Sequence, residues 1–255
     1  MRSTWPLLTD TPTRRPTSDL EAALDPWELS PAGSQAAPSP RGGLLRMSLG
    51  LAPIDGVDEL DYQTVRLASG GFAPAGVIGE GGFGKVYRAQ LESLPVPAAI
   101  KRLHAISADG IAQIWSEIQL LGSPACRHEG LLPLLGYCLD RRAPCLVYPL
   151  MRGGDLEERL LCPETKGRLG ALAWWERLHV LRSAARALLF LHTPGPGKGI
   201  VLHRDVKPGN ILLDERLNAR LSDVGLAKAI SGWREGRTHM STGNVLGTPG
   251  DIDPL

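Results

Sequence analysis

The 255-residue sequence predicts an α+β fold in two parts, a small antiparallel sheet followed by a mainly helical region. Three observations predict it. The glycine-rich run from Ile78 to Val86 lies between short stretches of strand-forming residues, the pattern of a hairpin. Apolar residues at Ile111, Ile114, Trp115, Ile118 and Leu121 recur on one helical face. The run Trp174 to His192 is rich in Leu, Ala and Arg, has no internal Gly or Pro, and is stopped by Pro194, Gly195, Pro196 and Gly197.

Taken in order, residues 1–57 are dotted with prolines and small polar residues and lack any sustained period, so this extension is expected to be disordered. Trp5 and Trp27 are unusual in such a tail and are candidate docking anchors. A folded domain is expected over 58–255, opening with a short helix around Leu60, Val65 and Leu67 that ends at Gly70 and Gly71. Strands follow before the glycine run at Val77-Ile78, after it at Lys85–Ala89, and at Ala98–Leu103. The Ile111–Leu121 helix comes next. Leu131–Cys138 and Pro144–Leu150 then form two strands across the charged turn Asp140-Arg141-Arg142.

Composition narrows the function classes. An apolar fraction of 43% supports a sizeable core, and a net charge of +1 gives no reason to expect a nucleic-acid or membrane-surface partner. Cys126, Cys138, Cys145 and Cys162 form no C-x-x-C pair, so they are expected to be reduced packing residues in a cytoplasmic protein. No stretch is long and apolar enough for a transmembrane helix.

Four motifs in one order point to phosphoryl transfer. They are the G-x-G-x-x-G-x-V run with Gly79, Gly81 and Gly84; Ala98-Ala99-Ile100-Lys101; His203-Arg204-Asp205 with Lys207 and Asn210; and Asp223-Val224-Gly225. Such chemistry needs positioning and fixed positive charge around phosphates more than covalent help. Lys101 suits the α and β phosphates of ATP, and Glu117, sixteen residues on within the helical stripe, is the anion to hold its ammonium. Asp205 is the candidate acceptor of a substrate hydroxyl proton, and Lys207 would steady the transferred charge. Asn210 and Asp223 are the candidate Mg²⁺ ligands. The glycines are expected to let backbone approach the phosphates and to adopt dihedrals closed to other residues.

The chain resembles eukaryotic protein kinases, and within them the plant receptor-like and Pelle-type serine/threonine kinases, over about residues 58–254. Further phrases carry the narrower likeness: Phe72–Tyr87, Leu134–Cys138, Leu146–Met151, Asn210–Asp214 and Leu221–Lys228. The resemblance implies a two-lobed fold, with an N-lobe of about 72–150 whose sheet carries the Glu117 helix, and a partial C-lobe of about 151–255. It implies Tyr148 as gatekeeper behind the adenine, Pro149 to Met151 as hinge, and Asp155 at the ribose. Val86 and Ala99 would close over the purine, with Leu212 beneath it. Lys207 favours Ser or Thr hydroxyls of protein substrates, and an upstream receptor or kinase is an expected partner.

Three departures qualify the expectation. Val224 stands where the family carries an aromatic, removing a ring that packs beneath the Glu117 helix, so lower basal activity is expected. Asp251 stands where Tyr is usual and Leu255 where Glu is usual, and the sequence stops before the last helices of the large lobe. An exposed apolar side on the Trp174–His192 helix and poor solubility are expected from that ending, and the alternative function is a catalytically impaired nucleotide-binding or scaffolding fragment. Arg204 suggests control by phosphorylation of Thr238, Ser241 or Thr242.

Overall fold

The computed structural model describes residues 57–82, 84–104, 108–161, 171–230 and 248. The expected disorder of the N-terminal extension, Cys162 and the three candidate phosphosites therefore lie outside the described residues, apart from Val57, which is buried.

The first half is a six-stranded sheet in the order β1-β5-β6-β4-β3-β2. Its strands are β1 (Asp58–Glu59), β2 (Val77–Gly81), β3 (Gly84–Ala89), β4 (Ala98–Leu103), β5 (Gly136–Cys138) and β6 (Cys145–Pro149). All neighbouring pairs are antiparallel except β1 with β5, where Asp58 lies beside Gly136 and Glu59 beside Tyr137. This edge strand was not expected, because two residues are too few to show an alternating pattern. β5 is also shorter than its apolar run suggests: Leu131 instead bridges to Leu221, and Pro133 has no amide hydrogen for a ladder.

Two helices cover opposite faces of this sheet. In α1 (Tyr62–Ala68) the Asp61 carboxylate accepts from the Gln63 and Thr64 amides at 2.8 and 3.0 Å, and Gly70 and Gly71 follow with φ of 63° and 75°. Val65 packs there with Ile100, Cys138, Cys145 and Val147. α2 (Ala108–Gly122) lies against the other face, where Ile114, Ile118 and Leu121 meet Leu134, Leu146 and Tyr148. Alternation along β6 produces this division, with Cys145 and Val147 directed one way and Leu146 and Tyr148 the other. Cys138 and Cys145 are cross-strand partners and, with Cys126, are free and buried.

The second half contains α3 (Leu156–Leu161), α4 (Trp174–His192), a three-stranded sheet ordered β10-β9-β7 and a two-stranded pair β11-β8. Its strands are β7 (Gly154–Asp155), β8 (Ile200–Leu202), β9 (Ile211–Leu213), β10 (Ala219–Leu221) and β11 (Lys228–Ile230). Val180, Ala184, Ala187 and Leu191 form the buried stripe of α4 and pack on Val201, Leu213 and Leu221. Glu176 accepts from the Ala173 amide at 2.7 Å at the start of α4. At its end the Lys198 ammonium donates to the carbonyls of Phe190, Leu191 and Thr193, placing a cation at the negative end of the helix. The opposite side of α4 is open, with Trp174, Leu181 and Leu189 70%, 56% and 67% exposed.

Candidate functional site

A cleft of about 730 Å³ opens between the six-stranded sheet and the β7–β9 region. Gly79, Val86, Ala99, Lys101, Glu117, Tyr148, Pro149, Met151, Asp155, Leu212 and Asp223 all line it. Strand register explains the convergence. Lys101 lies opposite Leu146 and Ala99 opposite Tyr148 in the β4–β6 pair, so their side chains share the face that receives α2.

On that face the Lys101 ammonium reaches Asp223 Oδ1 at 2.8 Å and Glu117 Oε2 at 3.4 Å. The Glu117 side chain is nearly sealed, at 3% exposed, which places two carboxylates and one ammonium out of bulk water. Burial pulls Lys101 down, but Asp223 and Glu117 outweigh it and hold the ammonium above the ordinary lysine range. Burial raises the Glu117 carboxyl despite the opposing pull of Lys101. Asp223 adopts a left-handed backbone, φ 60° and ψ 57°, which turns the chain immediately before Val224–Leu226.

A second constellation forms around Asp205. Asn210 Nδ2 donates to both the carbonyl and the Oδ2 of Asp205 at 2.8 Å, while Lys207 stands 3.2 Å from Oδ2. Thr248 adds its amide at 3.0 Å and its hydroxyl at 2.6 Å to Oδ1, and Lys207 donates to the same hydroxyl at 2.6 Å. Burial would raise the Asp205 carboxyl, yet the bonds from Thr248 and Asn210 and the charge of Lys207 hold it below the usual range. His203 is kept neutral chiefly by burial; its Nε2 donates to the Ser222 carbonyl at 3.0 Å and its Nδ1 accepts from the Asp205 amide at 3.3 Å.

Ser222 joins the two constellations. Its amide and hydroxyl donate to the Asn210 carbonyl at 2.9 and 3.1 Å, and Asp223 is the next residue. Asn210 Oδ1 is buried with no hydrogen-bond partner among the described residues, an acceptor that ordinarily demands one. A hard divalent cation takes such an oxygen, and Mg²⁺ typically combines one or two carboxylates with substrate phosphates. The donor set of Asn210 and Asp223 fits that ion. Among the described residues no group of three or more His, Cys, Asp or Glu gathers as an all-protein metal cage.

Several expectations change in detail. Neither Gly81 nor Gly84 lines the cleft, and none of the three glycines has a positive φ. Gly84 is required for another reason: a Cβ there would collide with the backbone carbonyl of Arg102 in the neighbouring strand. Val224 is fully enclosed in the cluster of Ile114, Ile118 and Tyr148, so the smaller residue sits in a closed site. Asp155 lines the cleft while its carboxylate accepts from the Glu158 amide at 2.8 Å at the start of α3. Arg204 donates to the Leu226 carbonyl at 2.6 Å.

Sequence reasoning missed two contacts. The Tyr148 hydroxyl donates to Glu117 Oε1 at 2.6 Å, so this residue fixes the anion as well as walling the cleft. The meeting of Thr248 with Asp205 is the other. The sole signal was its place in Gly247-Thr248-Pro249.

Comparison with known proteins agrees with this geometry. Residues 72–250 match the family model described as protein kinase domain. The chain is 39% identical over 196 residues to the serine/threonine-protein kinase BRI1-like 2 of Arabidopsis thaliana, covering 77% of this chain and 16% of that protein. It is 37% identical over 175 residues to the serine/threonine-protein kinase pelle of Drosophila melanogaster, covering 67% and 34%. It is 39% identical over 193 residues to the receptor-like protein kinase FERONIA of Arabidopsis thaliana, covering 76% and 20%. The chain thus spans about a third or less of the length of these relatives. With its two-part α+β fold, its lysine–carboxylate cleft and this family match, the chain belongs to the protein kinase domain family.

Proposed function

We propose that this chain transfers the γ-phosphoryl group of ATP to Ser or Thr hydroxyls of proteins. The observation that carries the reading is the meeting of Lys101 with Glu117 and Asp223 in the wall of the main cleft, a pairing across 122 residues of sequence. The names of the similar proteins, which specify serine/threonine kinases, support the hydroxyl class.

In this reading Lys101 pairs with the nucleotide phosphates and Glu117, held by Tyr148, keeps its ammonium in place. Asp205 orients the acceptor hydroxyl and takes its proton as the oxygen attacks the γ-phosphorus and the bond to the ADP oxygen breaks. Lys207 offsets charge on the transferred group. Asn210 and Asp223 would hold Mg²⁺, which when bound neutralises phosphate charge. Val86, Ala99, Met151 and Leu212 supply apolar surface for the purine, Asp155 meets the ribose, and Pro149 offers its carbonyl but no amide hydrogen. Gly79, with Gly81 and Gly84 in the same hairpin, keeps the loop narrow above the phosphates. Among the described residues no helix is long and apolar enough to cross a membrane. A cytoplasmic setting and an upstream receptor or kinase are part of the proposal.

The test combines a phosphotransfer assay on Ser/Thr peptides with thermal shift under Mg·ATP. Wild type is expected to do both, Lys101→Met to lose transfer by about a hundredfold or more, and Asp205→Asn to lose transfer while retaining the shift. A shift without transfer in the wild type would replace this reading by the nucleotide-binding scaffold.

A further inference from the structure

A groove runs between α4 and the turn joining β9 to β10, and it shares no lining residue with the main cleft. It is made of two cavities of about 590 and 260 Å³ that have His179 and Arg182 in common. Trp175, His179, Arg182 and Arg186 follow one another at four, three and four residues, so α4 presents them along one side. The larger cavity is open and joins Trp175 and Leu178, 72% and 48% exposed, to Arg182 and Arg216. The smaller one carries Arg182, Arg186 and, from the facing strand, Arg220, beside Glu129 and Asp214.

The charge of Arg220 helps to hold the Asp214 carboxyl down, so that guanidinium is partly matched by a local acid. Among the described residues none of the four arginines lies within salt-bridge distance of a carboxylate. Asp214 spends its oxygens on the Arg216 amide and on Asn218, and Glu176 on the Ala173 amide, leaving Glu129 as the other acid at the rim. A surface that joins exposed tryptophan to a row of arginines fits an extended acidic segment with apolar anchors.

The same chain carries such a segment. Residues 18–30 read Ser-Asp-Leu-Glu-Ala-Ala-Leu-Asp-Pro-Trp-Glu-Leu-Ser, with four carboxylates, no base, and Leu20, Leu24, Trp27 and Leu29 as apolar side chains. It lies outside residues 72–250 that match the kinase family. The 27 residue steps from residue 30 to Val57 set a reach of at most about 90 Å. Covalent connection over that reach raises the local concentration of the segment at the groove above that of a free partner.

We propose that segment 18–30 docks in cis into this groove, with its carboxylates on the arginines of α4 and the β9–β10 turn and Trp27 against Trp175 and Leu178. The proposal goes beyond phosphotransfer and stands or falls without it.

The experiment uses the full chain, at low protein concentration, with a photoreactive benzophenone side chain in place of Trp27 and peptide mapping after irradiation. Intrachain cross-links to residues 175–186 or 214–220 are expected. Arg182→Glu with Arg186→Glu should reduce their yield at least about tenfold, as paired charge reversals do. Adding Asp25→Lys and Glu28→Lys to that variant should restore the yield, a rescue that a misfolded groove could not give. Absent cross-links, cross-links elsewhere, or a yield indifferent to both charge reversals would overturn the proposal. Interchain cross-links to the groove would also overturn it, by assigning the surface to a second copy or another acidic partner.

Discussion

The Asp205 carboxylate, the proposed proton acceptor, depends on a residue far along the chain, because Thr248 donates to it through both amide and hydroxyl. Its bonds and Lys207 together overcome burial and leave the carboxyl ionised at lower pH than an ordinary Asp. A depressed folded-state value contributes stability above the unfolded value, about 3.9, that is lost as pH falls through the folded one. Thr248→Ala removes the hydroxyl bond, so the acid limb of the kcat/KM profile should move to higher pH, and Thr248→Ser should return it. Tyr148→Phe tests the other constellation. It deletes a 2.6 Å bond to a buried carboxylate and should cost about 1.5–3 kcal/mol in urea unfolding. Burial raises Glu117, and raised carboxyls stabilise below the unfolded value and lose that contribution as pH climbs through the folded one. The tyrosine bond opposes that rise, so the variant's deficit should be largest where Glu117 is ionised and shrink towards acid. The lysine and the acids were visible in sequence because they stand in motifs whose order is that of the protein kinase family. The partners Tyr148 and Thr248 were not, because strand register and the return of a distant segment choose them.

Among the elements, those with a strong internal period were recoverable. α2 and α4 show helical stripes over several turns, and the β2–β3 hairpin is marked by its glycines. β1 and the true start of β5 were not, since strands of two or three residues are defined by the neighbour they join rather than by their own pattern. The junction of α2 with Val224–Leu226 shows how an element-level expectation is revised by packing. Sequence alone suggests that restoring an aromatic at 224 would tighten the active arrangement and raise the rate. Val224 instead has no exposed surface and packs in the apolar cluster under α2. Inserting a ring there forces neighbours aside, and Val224→Phe should lower stability by about 1–3 kcal/mol. A reduced melting temperature checks this, and an unchanged or higher one would mean that α2 moves to admit the ring.

At the scale of the molecule, three clusters divide the interior: one beneath α1, one beneath α2 and one beneath α4. The first two are closed by the sheet they share. The third leaves one side of its helix uncovered, with Trp174, Leu181 and Leu189 set seven and eight residues apart along a single stripe. An apolar stripe of this kind drives association whenever it is not covered, because burial gains about 25 cal/mol per Å² of apolar surface removed from water. The purified chain should therefore elute from size-exclusion chromatography at a volume that shifts with loading concentration. Leu181→Lys with Leu189→Lys should abolish that shift while leaving the Mg·ATP thermal shift intact, since neither residue lines the main cleft. Both positions face solvent on a helix in which lysine is well tolerated, so loss of the fold is not the expected route to a monomer. If the double variant still associates, the contact lies elsewhere, and the basic groove on the neighbouring side of α4 becomes the surface to mutate next.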